Sequence, residues 1–325
     1  MAQTVTSLAC FLCAVFSSFG ANALPVNDKK APQSREDLLM IEKALKAALP
    51  QTSAATVCID LGEGTGSGVI VSADGLVMTA AHVSTGVGKK VTVIMPDGKK
   101  LKGKTLGLMA DKDAALVQII SEGPFPFVEI DRTDGTKLGD WVFSLGYAGG
   151  FDESRGAVAR LSRLVRVAQS TYQTDGTLIG GDSGGPLFDL EGRLIGIHSR
   201  VGAALAMNMH VPVKIFIEGW DRMLASEFIG EGPFATKPEK GKGFLGVATK
   251  DVQGGLEVTK VGKSSPAEAA GIQEGDLLRT LNGEALETRD DLKRILAELA
   301  AGDALVIDFT RNGKEGTINF ELGER

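Results

Sequence analysis

Cysteine and histidine are both scarce in this chain. Three cysteines occur in 325 residues, and two of them, Cys10 and Cys13, lie in an apolar N-terminal stretch. The remainder carries Cys58 alone, and one thiol cannot close an internal disulfide. A bridge-stapled scaffold is therefore excluded, and stability must come from core burial. Cys58 stands between Val57 and Ile59 and is expected to be a small buried apolar residue in a strand. The histidines are His82, His198 and His210, and they show no metal-ligand constellation. No nucleotide-binding loop is visible, and no cofactor is expected. A formal net charge of −6 argues against a general nucleic-acid binder. The lysines at 89, 90, 99, 100, 102 and 104 surround Pro96-Asp97-Gly98 and read as a solvated hairpin face. Long hydrophobic runs are also missing. Leu8 to Phe16 is apolar but too short to span a bilayer, and Ala21-Asn22-Ala23 follows as a cleavage site. Residues 1–23 thus read as a secretory signal peptide; the lack of Lys and Arg at 2–9 leaves an uncleaved anchor as the alternative.

Glycine is abundant, with 42 residues in a chain that is 43% hydrophobic. Short strands and many turns follow, hence a mainly β fold. Turn signals recur at Ala73-Asp74-Gly75, Pro96-Asp97-Gly98, Thr133-Asp134-Gly135 and Leu190-Glu191-Gly192. That spacing suits two antiparallel barrels with a cleft between them. Ahead of the barrels, Ser34 and Asp37 form a capping box. Leu38, Ile41, Leu45 and Leu49 then recur at helical spacing, and Pro50 is expected to end the helix. A second helix is expected from Ile215 to Phe228.

The chemistry concentrates in Gly180-Gly181-Asp182-Ser183-Gly184-Gly185-Pro186, which precedes the apolar Leu187-Phe188. Such a turn projects a serine oxygen while backbone N–H groups converge in front of it, as acyl transfer requires. Upstream, His82 follows Thr79-Ala80-Ala81, and Asp113 heads the apolar run Ala114 to Ile119. Each has a plain alternative: a structural histidine, a strand-capping aspartate with Asp111 as its rival, and a turn serine. The order His, Asp, Ser gives the three a joint meaning. His82 would take the proton from Ser183, Asp113 would hold the imidazole, and the N–H groups of Gly181 and Ser183 would bind the oxyanion.

These residues resemble the trypsin-like serine proteases. Gly66-Ser67-Gly68-Val69-Ile70, Tyr172-Gln173-Thr174-Asp175 and Gly192-Arg193-Leu194-Ile195-Gly196-Ile197 extend the match. Gly243-Phe244-Leu245-Gly246-Val247 resembles the carboxylate-binding loop of PDZ domains. Ser265 to Ile272, Gly275-Asp276-Leu277-Leu278 and Leu281-Asn282-Gly283 match the PDZ core. With both parts, the chain resembles an HtrA/Deg-type protease from about residue 51 to its end. The implied fold is a chymotrypsin-like double β-barrel followed by a PDZ domain, a partly open β-barrel with flanking helices. The implied organisation is a signal peptide (1–23), an N-terminal helical segment (24–50), a protease domain (51–229), a linker (230–242) and a PDZ domain (243–325). A homotrimer or higher oligomer is also implied.

The substrate pocket is expected to be apolar, walled by Leu178, Ile179, Ile197 and Met207. Asp182 departs from the resemblance, because HtrA/Deg proteases usually have Asn there. His198 and the segment Met207 to Pro212 are more polar than the strands they replace. Gly146 to Arg155 resembles a loop that adjusts the active site, which a ligand on the PDZ groove is expected to influence. The expected function is an exported, ATP-independent endopeptidase for unfolded or damaged proteins. Its PDZ domain would bind peptide C-termini or exposed segments. A non-catalytic holdase and a narrow processing protease are the alternatives.

Overall fold

The computed structural model describes residues 24–62, 64–201 and 208–324. Helix α1 (Arg35–Ala55) starts where its cap predicts. Ser34 Oγ accepts the Asp37 N–H at 3.3 Å, while the Asp37 carboxylate turns to the Gln33 N–H at 2.8 Å. The box is therefore half formed. Two expectations about this helix are corrected. Pro50 lies inside it, on the exposed side, and the helix continues to Ala55. Proline removes one backbone bond, but Thr52 and Ala55 beyond it are buried against the barrel and hold the last turn in register. Leu38 is exposed, whereas Ile41 and Ala48 reach the core.

Six strands form the first barrel: β1 (Thr56–Asp60), β2 (Thr65–Ile70), β3 (Leu76–Thr79), β4 (Lys90–Ile94), β5 (Lys100–Met109) and β6 (Ala114–Ile119). All neighbours are antiparallel, and the β5–β6 pairing closes the ring. A single helical turn, α2 (Ala81–Ser84), follows β3. Lys90 pairs with Lys104, and Ile94 with Lys100, across the expected hairpin. Along β5 the exposed Lys100, Lys102 and Lys104 alternate with the buried Leu101, Gly103 and Thr105, as a half-buried strand should. Cys58 is wholly buried, and burial pushes its thiol up to about 11.

The second barrel is closed by β7 (Trp141–Gly146), β8 (Val158–Val167), β9 (Tyr172–Thr174), β10 (Pro186–Asp189), β11 (Leu194–Val201) and β12 (Asn208–Pro212). Helix α3 (Val213–Leu224) is shorter than expected. It packs on the first barrel at Gly107, where a Cβ would stand 2.4 Å from the Met223 Cα. After α3, β13 (Phe228–Ile229) runs parallel to β5. One continuous core joins both barrels to α1, with Phe143 and Phe188 stacked at 5.2 Å between centroids. Fully burying side chains of this size contributes about 1.5–3 kcal/mol each.

The C-terminal strands have a separate core that includes Leu245, Leu256, Leu278, Leu305 and Ile307. Their order is β14 (Gly243–Phe244), β15 (Val247–Val252), β16 (Gly255–Val261), α4 (Pro266–Ala269), β17 (Leu277–Leu281), β18 (Glu284–Ala285), α5 (Arg289–Ala297), β19 (Ala304–Arg311), β20 (Lys314–Glu321) and β21 (Gly323–Glu324). Strand β15 lies at the edge of the sheet β15-β16-β17-β19-β20. Helix α5 is capped by a reciprocal Thr288–Asp291 box and tied to β15 by the Arg289 N–H bond to Asp251 Oδ1 at 2.9 Å.

Candidate active site

His82 comes from the first barrel, on α2. Its Nδ1 faces both oxygens of Asp113, at 2.9 and 3.0 Å. The His82 main-chain N–H also donates to Asp113 Oδ1, at 3.1 Å. Asp113 is fully buried at the head of β6 and holds a left-handed φ of +59°. That conformation costs an L-residue roughly 1–2 kcal/mol and turns the carboxylate back under the imidazole. Ser199 Oγ donates to Asp113 Oδ2 at 2.5 Å and fixes its other side. The rival Asp111 pairs with Lys112 at 3.1 Å. With Nδ1–H directed at the carboxylate, Nε2 is left as the imidazole's acceptor.

Ser183 comes from the second barrel, in the turn between β9 and β10. The turn is held by its carbonyls. Ile179 O accepts from Asp182 N at 3.1 Å, Gly180 O from Gly149 N at 2.6 Å, and Ser183 O from Ser67 N at 2.7 Å. Ser67 Oγ donates to Gly181 O at 2.7 Å and accepts the Tyr147 N–H at 2.9 Å. In a trans peptide the C=O and N–H point in opposite directions. The Gly180 carbonyl is engaged by the 146–150 loop, so the Gly181 N–H faces the other way. Among the described residues, the N–H groups of Gly181 and Ser183 donate to no protein acceptor. Gly181 has a φ of +92°, and a Cβ there would meet Tyr147 O at 2.4 Å, so the turn requires glycine. Ser183 Oγ points toward Ser199 O, 3.5 Å away, and no hydrogen bond joins it to His82 among the described residues.

His82, Ser183, Leu178 and Ile179 line one cleft of about 340 Å³, together with Gly180, His198, Ser199, Arg200 and Phe234. Of the residues expected to wall the pocket, Leu178 and Ile179 are there. Ile197 is wholly buried in the barrel core, and Met207 lies outside the described residues. Behind the cleft, His198 Nδ1 meets His210 Nδ1 at 2.9 Å, and His210 Nε2 meets Thr174 Oγ1 at 3.1 Å. Burial pushes His210 down to about 3; burial, then His210 and Arg160, hold His198 well below its ordinary range. Both rings are neutral near pH 7. The buried Asp182 carboxylate accepts the Ile179 N–H at 2.9 Å and pairs with Arg160 Nη2 at 3.1 Å. Arg160, Arg200 and Phe234 were not legible in the sequence, because each gains its partner only through the fold.

Gly243 to Val247 forms a loop that leads into the edge strand β15. Gly246 takes a φ of +89°, its carbonyl accepts the Gly262 N–H at 2.8 Å, and the Leu245 carbonyl accepts the Ala267 N–H at 3.1 Å. Leu245 is buried, and Val247 opens the strand. Among the described residues the far edge of β15 has no strand partner, and it lies beside α5, so it can accept an added strand.

Comparison with known proteins agrees with this architecture. Residues 66–197 match a trypsin-like peptidase domain and residues 243–322 a PDZ domain. A probable periplasmic serine endoprotease, DegP-like, of Ectopseudomonas mendocina is 28% identical over 278 residues, covering 79% of this chain and 56% of that protein. A protein of the same description from Rhizobium meliloti is 28% identical over 278 residues, covering 79% of this chain and 53% of its own length. The chain thus spans about half the length of these curated relatives. A serine endoprotease structure from Yersinia pestis shares the fold with a TM-score of 0.51 at 22% identity, covering 86% of this chain and 98% of that one. The two domains in this order, on two closed barrels and a C-terminal sheet, are those of a trypsin-like peptidase followed by a PDZ domain, and the chain is similar in both to the DegP-like serine endoproteases.

Proposed function

We propose that this chain is a serine endopeptidase acting on unfolded or damaged polypeptides. The observation that carries the reading is the nucleophile turn: its carbonyls are engaged, its Gly181 and Ser183 N–H groups have no protein acceptor among the described residues, and His82 shares its cleft. Ser183 is the nucleophile and His82 the base, its Nε2 receiving the Ser183 proton and returning it to the leaving amine. Asp113 holds the Nδ1–H tautomer and stabilises the imidazolium. The oxyanion of the tetrahedral intermediate sits on the Gly181 and Ser183 N–H groups. Attack requires Ser183 Oγ to rotate from the Ser199 carbonyl toward His82. No step calls for a nucleotide, a metal or another cofactor.

The Gly243–Val247 loop and the edge of β15 are proposed to hold a peptide C-terminus or an exposed segment, for recruitment or activation. Residues 51–229 act as the protease unit, 230–242 as the linker and 243–325 as the PDZ unit. Residues 1–23 direct export to the periplasm, in keeping with the description of the relatives. Oligomerisation through the N-terminal part is part of the same reading.

Degradation of a denatured model protein by the wild-type chain and by Ser183→Ala tests it. Loss of cleavage in the variant by at least about a thousandfold is expected for removal of the nucleophile. Equal cleavage by both would exclude Ser183. Absence of cleavage by either, with C-terminal peptides added, would favour a holdase. Cleavage confined to one folded partner would favour a processing protease.

A further inference from the structure

The segment between the two domains runs along the active site. After β13 it makes a tight turn at residues 232–235, whose ends Gly232 and Ala235 bridge. The Phe234 N–H donates to Ala110 O at 3.4 Å. A Cβ on Gly232 would stand 2.5 Å from the Ala110 carbonyl oxygen and 2.6 Å from the Asp111 Cα. Only glycine lets the segment lie this close to the bend that delivers Asp113.

This seating carries Phe234 into the cleft. Its ring centroid is 6.5 Å from that of His82, and its inner side packs with Ala81, Leu108 and Ala110. Arg200, from β11, lies over the same ring, with its guanidinium carbon 5.1 Å from the ring centre. Arg200 is exposed and makes no ion pair among the described residues; the nearby Asp111 is paired with Lys112 instead. Stacking on an aromatic face fixes the plane of a guanidinium and leaves its N–H fork free for a carboxylate. Phe234 and Arg200 line the cleft together with His82 and Ser183.

We propose that Phe234 and Arg200 form a specificity subsite beside His82 that takes an acidic side chain of the substrate. The interdomain segment then supplies part of the protease's own recognition surface. This inference rests on the peptidase reading and names one feature of its substrates. The guanidinium is open to water on one side, so the gain is modest, about tenfold for a charge-assisted contact at a partly screened site.

The test uses the full chain and fluorogenic peptides that differ at one position at a time on the acyl side of the scissile bond, bearing Glu, Gln or Lys. At one position kcat/KM is expected to favour Glu over Gln by about tenfold, and Lys to be the poorest. Arg200→Gln should erase that preference, and Arg200→Glu should reverse it in favour of Lys. Phe234→Ala should weaken it by raising KM, with Phe234→Leu as the companion if the alanine variant melts early. A profile unchanged in Arg200→Glu overturns the proposal. The same peptides are titrated by anisotropy against the full-length Ser183→Ala chain, which binds without cutting. Arg200-dependent preference for Glu in binding, with no hydrolysis by wild type, would sink the peptidase reading and keep the subsite. Ser183-dependent hydrolysis without Arg200-dependent discrimination would do the reverse.

Discussion

Arg160 and Asp182 meet behind Ser183 at 3.1 Å, and Asp182 is wholly buried. The same carboxylate oxygen accepts the Ile179 N–H, so the pair helps to fix the turn that presents Gly181 and Ser183. Losing Arg160 alone strands a buried charge, whereas neutralising both partners does not. Arg160→Met is therefore expected to lower kcat by about a hundredfold, on the scale of one lost oxyanion donor. The double variant Arg160→Met, Asp182→Asn should recover most of it. Steady-state kinetics and titration of competent sites with a fluorophosphonate would check both, and a double variant no better than the single would disconnect the pair from the turn. At this scale the sequence is uneven to read. His82, Asp113 and Ser183 stand in short strings whose neighbours declare the local turn, and Asp113 is distinguished from Asp111 by the strand that starts after it. Arg160, Arg200 and Phe234 depend on partners far along the chain, and no local pattern marks them. Ile197 was misplaced for a related reason: alternation puts a strand residue on one of two faces, and here the inward face is the core.

Helix α1 separates what local chemistry decides from what packing decides. Its start is written in Ser34 and Asp37. Its end is not, because burial of Thr52 and Ala55 carries the helix past Pro50. Pro50 has no N–H to give to the turn before it, so Pro50→Ala should restore that bond. The lost rigidity of the unfolded chain offsets part of the gain, leaving about 1–2 kcal/mol of added stability. A higher urea midpoint with an unchanged slope is the expected result; an unchanged midpoint would mean the helix already compensates at that site. The solvated lysine face along β5 was more accessible, since one hairpin turn and a period of two settle it locally.

For the whole molecule, recurring glycine turns and apolar runs made the barrels legible, while closure and the placing of the cleft needed the pairing pattern. The buried His198–His210 pair makes this fold acid-sensitive. In the folded chain both rings resist protonation, His210 down to about pH 3. In the unfolded chain they take up protons below about pH 6.5. The unfolded state then binds more protons, so stability is full above pH 6.5 and falls as the pH drops. His210 alone contributes about 1.4 kcal/mol per pH unit across that window, or about 2 kcal/mol between pH 6.5 and 5. Denaturant unfolding at pH 7.5 and 5 would show the loss. His198→Gln combined with His210→Gln should flatten the slope, and a slope untouched by that change would assign the acid sensitivity elsewhere.

The seat of Phe234 also sets a leash. Only residues 236–242 separate the anchored Ala235 from Gly243, where the PDZ strands begin. Fully extended, that stretch reaches about 28 Å. A polypeptide held at the β15 edge by its end would thus be confined to a small sphere around Ser183, at a local concentration on the order of millimolar. If the proposed function holds, capture at one domain becomes delivery to the other, and the leash acts as a ruler. Under the proposed function, chains too short to bridge the two sites would be held without being cut, and longer ones would be cut at a distance from the end that the leash dictates.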